Sequence, residues 1–565
     1  MIKKIIFFGD HAGKDFDDMW NLDYIFLKSS ALLRLTYAMR QEGFEVKQVH
    51  HCTSFNNEEL EHILNDFSQG QPVLICISSS FITSVNRLDY AFHAEETKRT
   101  IPDLGDFWGK RTFNFLMTLG TLAKKYKFPV IMGGFDIRDY KFIDPKDIRA
   151  WGLDALNLFI DYYVMGPNPA VIGEFCRTGY LPHKTIKGKI RDSKIVITGP
   201  VKDYSDFGFK TDIGDNISPN EALISQIADG CIFSCSFCTY SALGKRPHEY
   251  CRTYESVKNE IVSNYENFGV RVYMFVDHMI NDYPEKLKYL IRIREETGID
   301  VRWGAYARLD TIKTREQAQM FKDAGCAGVI FGIESMKKEV GPYIGKMTDG
   351  EKIKDLLYNF RDVLGDTALT SGSYIAGAPT ETKEELKQTY EWLLSAEGKN
   401  LLDHFIFTPL FIEPGINDRT EINQARNDPF RDYVLAEGKE KYWGTGWTSP
   451  WGKYEDYLEL AIKYSDFNNK SITPEEAMSA MRGIFAIPIM HNLLPGGVDQ
   501  YIADMRAQKS INYDNRELFK TKNRQLIENY KKMTLGNSYG LFSKNNTVEH
   551  PLSLMKKLMK SQDLK

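Results

Sequence analysis

Short apolar runs alternate with amphipathic stretches through the first third of the chain. The runs predict strands at residues 5–8, 44–49, 72–78, 129–132 and 162–165, and the stretches at 31–43 and 113–126 have helical spacing. Apolar runs without polar alternation are typical of parallel strands that are buried on both faces. We therefore predict an α/β, Rossmann-like domain over residues 1–185, which would bind ligands beyond the carboxyl ends of its strands.

A second alternating series begins at Leu223. Its predicted strands are 223–227, 270–276, 301–306, 328–331, 368–375 and 404–408, and its predicted helices are 254–268, 283–297, 314–324, 349–364 and 383–396. This alternation favours a partial or full (β/α) barrel over 221–415, with its chemistry at the carboxyl-end rim. We interpret the polar stretch 186–220 as a linker and 416–565 as a mainly helical C-terminal substrate or capping region.

The composition is that of an ordinary globular protein. Of the 565 residues, 42% are hydrophobic and 26% are charged, and the net charge of -4 does not favour nucleic acid as a partner. No apolar run is long enough to predict a membrane span, and the apolar stretch near the N-terminus is too short for a signal peptide. The eight cysteines are too few for a disulfide scaffold, so we expect a reducing, cytoplasmic setting.

Three of the cysteines lie within one short segment. Cys231, Cys235 and Cys238 follow the first predicted strand of the second series, so their thiols belong to a loop at its carboxyl end. Three thiolates can hold three irons of a four-iron, four-sulfur cluster and leave the fourth iron open to a ligand. A structural zinc site is the alternative, but zinc usually needs a fourth Cys or His, and nearby only Cys251 and His248 stand as candidates.

The C-x3-C-x2-C spacing, with Phe237 before the last cysteine, resembles the hallmark of the radical S-adenosylmethionine (SAM) superfamily. Further matches follow in the family's order at 252–257 (RTYESV), 275–277 (FVD), 306–310 (YARLD), 325–335 (GCAGVIFGIES) and 371–382 (SGSYIAGAPTET). The resemblance implies a [4Fe-4S] cluster whose open iron binds SAM. It also implies reductive cleavage of SAM to a 5′-deoxyadenosyl radical and an external electron donor of the flavodoxin or ferredoxin type.

The same resemblance suggests which side chains contact SAM. Glu334 and Ser335 are candidates for polar contacts, Arg308 for the carboxylate of SAM and Asp277 for its amino group, because guanidinium and carboxylate groups pair bidentately. For each residue, a structural salt bridge or a strand cap is the alternative. The Gly-Gly-Glu motif common in the superfamily is missing after the second strand of the barrel.

The first domain resembles the cobalamin-binding domain of one radical SAM class. Gly133 and Gly134 follow a predicted strand and would let the backbone approach a large flat ligand, while Ser78 ends another strand. A related domain that has lost its ligand is the alternative. The motif that supplies a histidine below the cobalt is absent, and His50 and His51, which end the second predicted strand, are expected to be solvated or hydrogen-bonded.

The C-terminal region carries no motif of known chemistry. Trp443, Trp447 and Trp451 are expected to pack against the barrel rather than to line a pocket, and the basic tail is expected to be a solvated helix rather than an RNA contact. Our leading hypothesis is a cobalamin-dependent radical SAM methyltransferase acting on an unactivated carbon or phosphorus centre. The alternatives are a radical SAM rearrangement, cyclisation or sulfur-insertion enzyme, and a non-catalytic iron–sulfur or nucleic-acid-binding protein.

Overall fold

The structure is a computed structural model. It describes residues 1–10, 27–78, 110–134, 159–166, 168–181, 195–198, 201, 203–238, 246–410, 432–435, 447–464, 486–507 and 516–536. All of the predicted site residues lie within these ranges, whereas Trp443 lies outside the described residues.

The first domain is built on a parallel sheet of six strands. They are β1 (Lys4–Phe8), β2 (Glu45–Val49), β3 (Val73–Ser78), β4 (Val130–Gly133), β5 (Tyr162–Met165) and β6 (Ile195–Ile197). Their spatial order is β2-β1-β3-β4-β5-β6, and every neighbouring pair is parallel. The predicted sheet is confirmed. Strand β6 was not predicted and lies in the stretch that we interpreted as a linker. Its three apolar residues within polar sequence are too few to predict a strand.

Helices cover both faces of this sheet. They are α1 (Ser30–Gln41), α2 (Asn57–Ser68), α3 (Lys110–Tyr126) and α4 (Ala170–Thr178). Ile5 and Phe7 share a core with α1 and α4, whereas Ile6 and Phe8 share a core with α2 and α3. Successive side chains of a strand alternate between its faces, so the continuous apolar run of β1 serves both layers.

The second domain is a partial barrel of six parallel strands. They are β7 (Leu223–Ser225), β8 (Val272–Phe275), β9 (Arg302–Ala307), β10 (Cys326–Glu334), β11 (Leu369–Ala376) and β12 (His404–Pro409). Each strand pairs with the next one along the chain. Within the described residues β7 and β12 form the two edges, so the barrel is open rather than closed.

The outer surface of the partial barrel is covered by helices. They are α5 (Pro247–Tyr250), α6 (Tyr254–Phe268), α7 (Glu285–Thr297), α8 (Arg315–Asp323), α9 (Gly341–Ile344), α10 (Gly350–Leu364), α11 (Lys383–Leu394) and α12 (Ala396–Leu401). The five longer predicted helices of this domain are confirmed. The Thr253 side chain accepts a hydrogen bond from the Ser256 amide to start α6, and Gly269 in the left-handed conformation ends it.

The C-terminal region closes the amino end of the partial barrel. Its elements are β13 (Val434–Leu435), β14 (Trp447–Ser449), β15 (Gly452–Lys453), α13 (Tyr454–Tyr464), α14 (Ala486–Leu493), α15 (Gly497–Arg506) and α16 (Arg516–Leu535). Apolar residues of α14 and α15 fill the inner face of the sheet beside Ile224, Val272 and Leu369. Arg506 donates hydrogen bonds to the carbonyls of Gly365 and Ala368, just before β11. These contacts lie at the amino end of the strands, whereas the three clustered cysteines follow the carboxyl end of β7.

Helix α16 packs on the first domain. Ile527, Tyr530 and Leu535 join the core that contains α2 and α3, and the hydroxyl of Tyr530 accepts a hydrogen bond of 2.8 Å from the amide of His50. The expectation of a solvated helix is wrong, because one face of this basic helix is apolar at helical spacing. Lys532 is exposed, whereas Lys531 pairs with Glu59 of α2 at 3.0 Å and Lys522 donates to the carbonyl of Leu493 at 3.0 Å.

The tryptophans near residue 450 pack against β11 and β12. Trp447 is fully buried, and its indole N–H donates to the carbonyl of Leu410 at 2.9 Å, so the packing role predicted for it is confirmed. Trp451 is half-buried against the same core.

Among the helices of the described ranges, none has the length and apolar character that crossing a bilayer requires.

Candidate active site

The three clustered cysteines lie on one loop at the carboxyl end of β7. Cys231 is buried, whereas Cys235 and Cys238 are half-buried. The Cys238 amide donates to the Cys235 carbonyl at 3.1 Å, which makes a tight turn between these two ligands. Burial raises the pKa of Cys231 to about 12, so its thiolate forms when a metal replaces the proton.

Carboxylates hold this loop from below. Asp277 accepts hydrogen bonds of 2.8 Å from the amides of Ile227 and Ala228, and Asp282 accepts one of 3.2 Å from the amide of Ile232. Asp277 is 0% exposed, so it does not face the open end of the barrel. The expected contact between Asp277 and the amino group of SAM stays a prediction, and the structure shows both carboxylate oxygens of Asp277 accepting backbone amides. A position directly after a strand predicts an exposed side chain, but here a long-range partner buries it.

Lys286 joins the two carboxylates. Its ammonium lies 2.6 Å from Asp282 and 3.3 Å from Asp277, and all three side chains are buried. Although burial lowers the pKa of Lys286, the two carboxylates raise it above its ordinary value, so the ammonium stays charged. The sequence analysis missed Lys286, because the four-residue spacing from Asp282 is also common on solvated helices.

Helix α9 holds the loop from the other side. The Ser236 amide donates to the Ile344 carbonyl at 3.2 Å, and its hydroxyl donates to the Tyr343 carbonyl at 2.8 Å. Gly345 ends α9 with a φ of 70°, and a Cβ there would lie 3.5 Å from the carbonyl oxygen of Ser234. Glycine therefore suits the left-handed turn, and a Cβ there would make ordinary van der Waals contact with the loop.

Arg308 lies directly beside the cysteines. Its guanidinium pairs with both carboxylate oxygens of Asp310 at 2.6 and 2.8 Å, and one of its nitrogens lies 3.4 Å from the sulfur of Cys235. The guanidinium also covers the ring of Phe233 at 4.0 Å from its centroid. The arginine is thus fixed next to the thiols, as its position in the predicted motif suggested, and Asp310 is the partner that orients it.

The carboxyl end of β10 carries the next pair of predicted residues. Glu334 has a φ of 70° and forms an ion pair of 2.7 Å with Lys346. The Ser335 hydroxyl is hydrogen-bonded to Glu381, which follows β11. Burial raises the pKa of Glu381 to about 8, and its second carboxyl oxygen has no hydrogen-bond partner among the described residues. Both predicted residues are therefore held by buried partners that the sequence analysis did not name.

A strip of side chains crosses the inner face of the partial barrel near this end. Ala305 and Ala307 face the outer helices, so Tyr306 between them faces inward, and it is 36% exposed. Val276 follows β8 next to it with the same exposure, and Ser373 and Ile406 are register partners on β11 and β12. Tyr306 was not among the predicted residues, although its place in the YAR run and the alternation of β9 pointed to it.

Phe237 anchors the loop on the side of its last cysteine. Phe237 is half-buried and packs against the core of the barrel, which anchors the segment before Cys238.

Within the described ranges, no three His, Cys, Asp or Glu side chains converge as ligands of one metal ion. A four-iron cluster takes one thiolate per iron, so its ligands need not converge on a single point.

The residues of the first domain that were predicted to contact cobalamin lie at one edge of its sheet. Ser78 and Gly133 are register partners at the carboxyl ends of β3 and β4, and Gly134 has a φ of 133°. The strand order reverses between β1 and β3, which is where such sheets bind ligands. His50 and His51 are buried under the ring of Tyr530, with centroid distances of 6.2 and 5.9 Å, so neither histidine is solvated.

Part of the sequence, which includes the cysteine loop, matches a known family. Residues 225–393 match the model of the Radical SAM superfamily. The uncharacterized methyltransferase PH0819 of Pyrococcus horikoshii is 30% identical over 188 residues, which are 33% of this chain and 39% of that protein. The anaerobic magnesium-protoporphyrin IX monomethyl ester cyclase of Cereibacter sphaeroides is 25% identical over 207 residues, 35% of this chain and 32% of that protein. The match thus spans less than half of either relative.

Comparisons of the fold extend over most of the chain. The radical SAM methyltransferase TsrM from Kitasatospora setae, solved with cobalamin and a [4Fe-4S] cluster, has a TM-score of 0.55 at 16% identity over 93% of this chain and 100% of that one. The cobalamin-dependent radical SAM enzyme OxsB, solved with aqua-cobalamin and SAM, has a TM-score of 0.55 at 12% identity over 99% of this chain and 84% of that one. Residues 225–393, which include the cysteine loop at the carboxyl end of β7, thus match the Radical SAM family model, and the fold of the chain, with its parallel-sheet domain before these residues, is similar to that of TsrM and OxsB.

Proposed function

We propose that this chain is a radical SAM enzyme that binds a [4Fe-4S] cluster through Cys231, Cys235 and Cys238 and transfers a methyl group with SAM and cobalamin. The observation that carries this proposal is the placement of three thiols on one anchored loop inside a radical SAM domain. When bound, the cluster supplies the electron that cleaves SAM, and cobalamin carries the methyl group.

The residues around the loop fit a cluster with one open iron. Asp277, Asp282 and Ser236 fix the backbone on which the thiols stand, so the three ligands are held before any metal binds. Arg308 places a positive charge next to Cys235 and thereby offsets the negative charge of the thiolates. No fourth cysteine lies in the motif, which leaves one iron for SAM.

For SAM, we propose contacts with Phe237, Arg308, Glu334 and Ser335, which lie on the loop and at the ends of β9 and β10. Glu334 is held by Lys346 and Ser335 by Glu381, so these side chains are positioned without the ligand. The inward-facing Tyr306 and Ser373 offer a phenol and a hydroxyl to a substrate above them. An unactivated carbon or phosphorus centre is the acceptor that we propose.

For cobalamin, we propose the carboxyl edge of the first sheet. Ser78 ends β3, which borders the reversal of strand order, and Gly133 and Gly134 lie at the end of the neighbouring strand β4. Support comes from the fold shared with TsrM and OxsB, both of which were solved with a cobalamin. An external one-electron donor of the flavodoxin or ferredoxin type completes the proposal, since no group of the polypeptide supplies the electron.

The test starts with anaerobic reconstitution of the full chain with iron and sulfide. The expected result is about four irons per chain, together with 5′-deoxyadenosine or S-adenosylhomocysteine from SAM and dithionite, and visible absorption bands after addition of cobalamin. Cys235→Ala should lose the cluster and the cleavage of SAM. Cys326→Ala is the matched control, because Cys326 is buried at the start of β10, away from the loop, and it should keep both.

Three outcomes would contradict parts of the proposal. Retained SAM cleavage in Cys235→Ala would refute the cluster site. A zinc centre in place of iron would favour the structural alternative. Cleavage of SAM without cobalamin binding would favour a rearrangement or sulfur-insertion enzyme over a methyltransferase.

A further inference from the structure

Helix α1 of the first domain reaches the base of the cysteine loop. Arg34, which is buried, donates a hydrogen bond of 2.6 Å to the side-chain oxygen of Gln226 and another of 3.1 Å to the Gln226 carbonyl. Gln226 directly follows β7 and precedes the first clustered cysteine by five residues. A guanidinium fixed to both acceptors of one residue constrains that residue in position and in orientation.

The other groups that fix this short segment belong to the barrel and to the connecting segment before it, from which the Tyr204 hydroxyl donates to the Gln226 side-chain oxygen at 3.4 Å. Arg252 donates to the Gln226 carbonyl at 3.0 Å, and its own amide donates to the Ile227 carbonyl at 2.9 Å. The side-chain amide of Gln226 donates to the Ala228 carbonyl at 2.7 Å. Among the described residues, Arg34 is therefore the contribution of the first domain to a strand end that the barrel and the connecting segment also hold.

A second arginine of α1 also crosses between the domains, but it ends elsewhere. Arg40 donates to both carboxylate oxygens of Asp215 at 2.8 and 3.2 Å. Asp215 lies before β7 and has no contact with the cysteine loop among the bonds described for it. The two arginines thus make bidentate contacts of similar geometry from one helix, one to the loop base and one to the connecting segment.

We propose that Arg34 is a positioning residue through which the first domain sets the geometry of the cysteine loop. With Gln226 held, Ile227 and Ala228 present their amides to Asp277, and the loop that carries the cysteines leaves the strand from a fixed base. Without Arg34, the loop keeps its anchors in the barrel but gains freedom at its base. This inference rests on the proposed cluster site and is independent of the substrate.

The test compares Arg34→Met with Arg40→Met in the full chain. Hydrogen–deuterium exchange of the apo-protein reports on the loop directly, and we expect about tenfold faster exchange at residues 226–232 in Arg34→Met, the change that about 1.4 kcal/mol of lost local stability produces. Arg40→Met should leave these amides unchanged and affect residues 213–216 instead. After reconstitution, Arg34→Met should lose iron to a chelator faster and show an altered electron paramagnetic resonance spectrum of the reduced cluster.

Equal exchange at residues 226–232 in the two variants, together with equal iron retention, would overturn the inference. If Arg34→Met does not fold, Arg34→Gln, which keeps one donor, decides the matter by the same comparison. Failure of the wild type itself to bind a cluster would instead refute the proposed function, while the exchange data on the apo-protein would still decide the role of Arg34.

Discussion

Lys286 is the residue whose loss should weaken the cysteine loop most directly. It is 0% exposed and is the counter-ion of Asp277 and Asp282, which together accept three amides at the base of the loop. Lys286→Met keeps much of the side-chain volume but leaves two buried carboxylates close together. Removing one partner of a buried ion pair costs about 3–5 kcal/mol, because the remaining charge is left without compensation.

Part of this cost is relieved when one carboxylate takes up a proton. Burial and mutual repulsion raise the pKa of a carboxyl group, so protonation stabilises the variant at low pH, and that relief is lost as pH rises. We therefore expect the difference between Lys286→Met and the wild type to be smaller at pH 6 than at pH 8. Asp282→Asn in the same background should recover part of the loss, because it removes one of the two unpaired charges.

Native-state hydrogen exchange measures this effect without requiring two-state unfolding of a long chain. The peptides to follow span residues 226–232 and helix α7. Lys288→Met is the matched control on the same helix, because Lys288 is exposed and pairs with Glu285, and its loss should cost less than about 1 kcal/mol. Equal protection in the two variants at both pH values would refute the reasoning, since it would mean that the buried ammonium contributes no more than a surface one.

Two further predictions concern other parts of the molecule. Glu381→Gln should flatten the pH dependence of thermal stability. Because the pKa of Glu381 is about 8 in the folded protein against an ordinary 4.5, its contribution to stability is full below pH 4.5 and is lost as pH rises to about 8, by up to about 1.4 kcal/mol per pH unit. An unchanged slope of melting temperature against pH would contradict this. Ile527→Ala should destabilise the first domain by about 2–5 kcal/mol, because the Ile527 side chain is buried against α2 and α3. The measurement is the protease sensitivity of residues 27–78, and Met533→Ala, at an exposed position, is the control. Equal sensitivity of the two variants would contradict the packing role of α16.

Local patterns of the sequence determined the types of the secondary-structure elements and the position of the cysteine loop. Apolar runs and helical periodicity predicted strands β1 to β5 and β7 to β12, because both signals depend on residues a few positions apart. The spacing of Cys231, Cys235 and Cys238 predicted the cluster site for the same reason, and the structure places the three thiols on one loop. Arg308, Glu334 and Ser335 were found through motifs that adjoin strand ends, and the structure places them at those ends.

Tertiary structure alone decided which groups support the site. Asp277 anchors amides 50 residues earlier in the chain, and Arg34 meets Gln226 across 192 positions, so no local pattern connects the partners. Tyr530 of α16 covers His50 from 480 positions away. A hydrogen bond or an ion pair depends on distances that the chain topology sets, whereas the sequence records only which groups are available. The sequence thus determined the strands and the three thiols, and the fold decided what holds them in place.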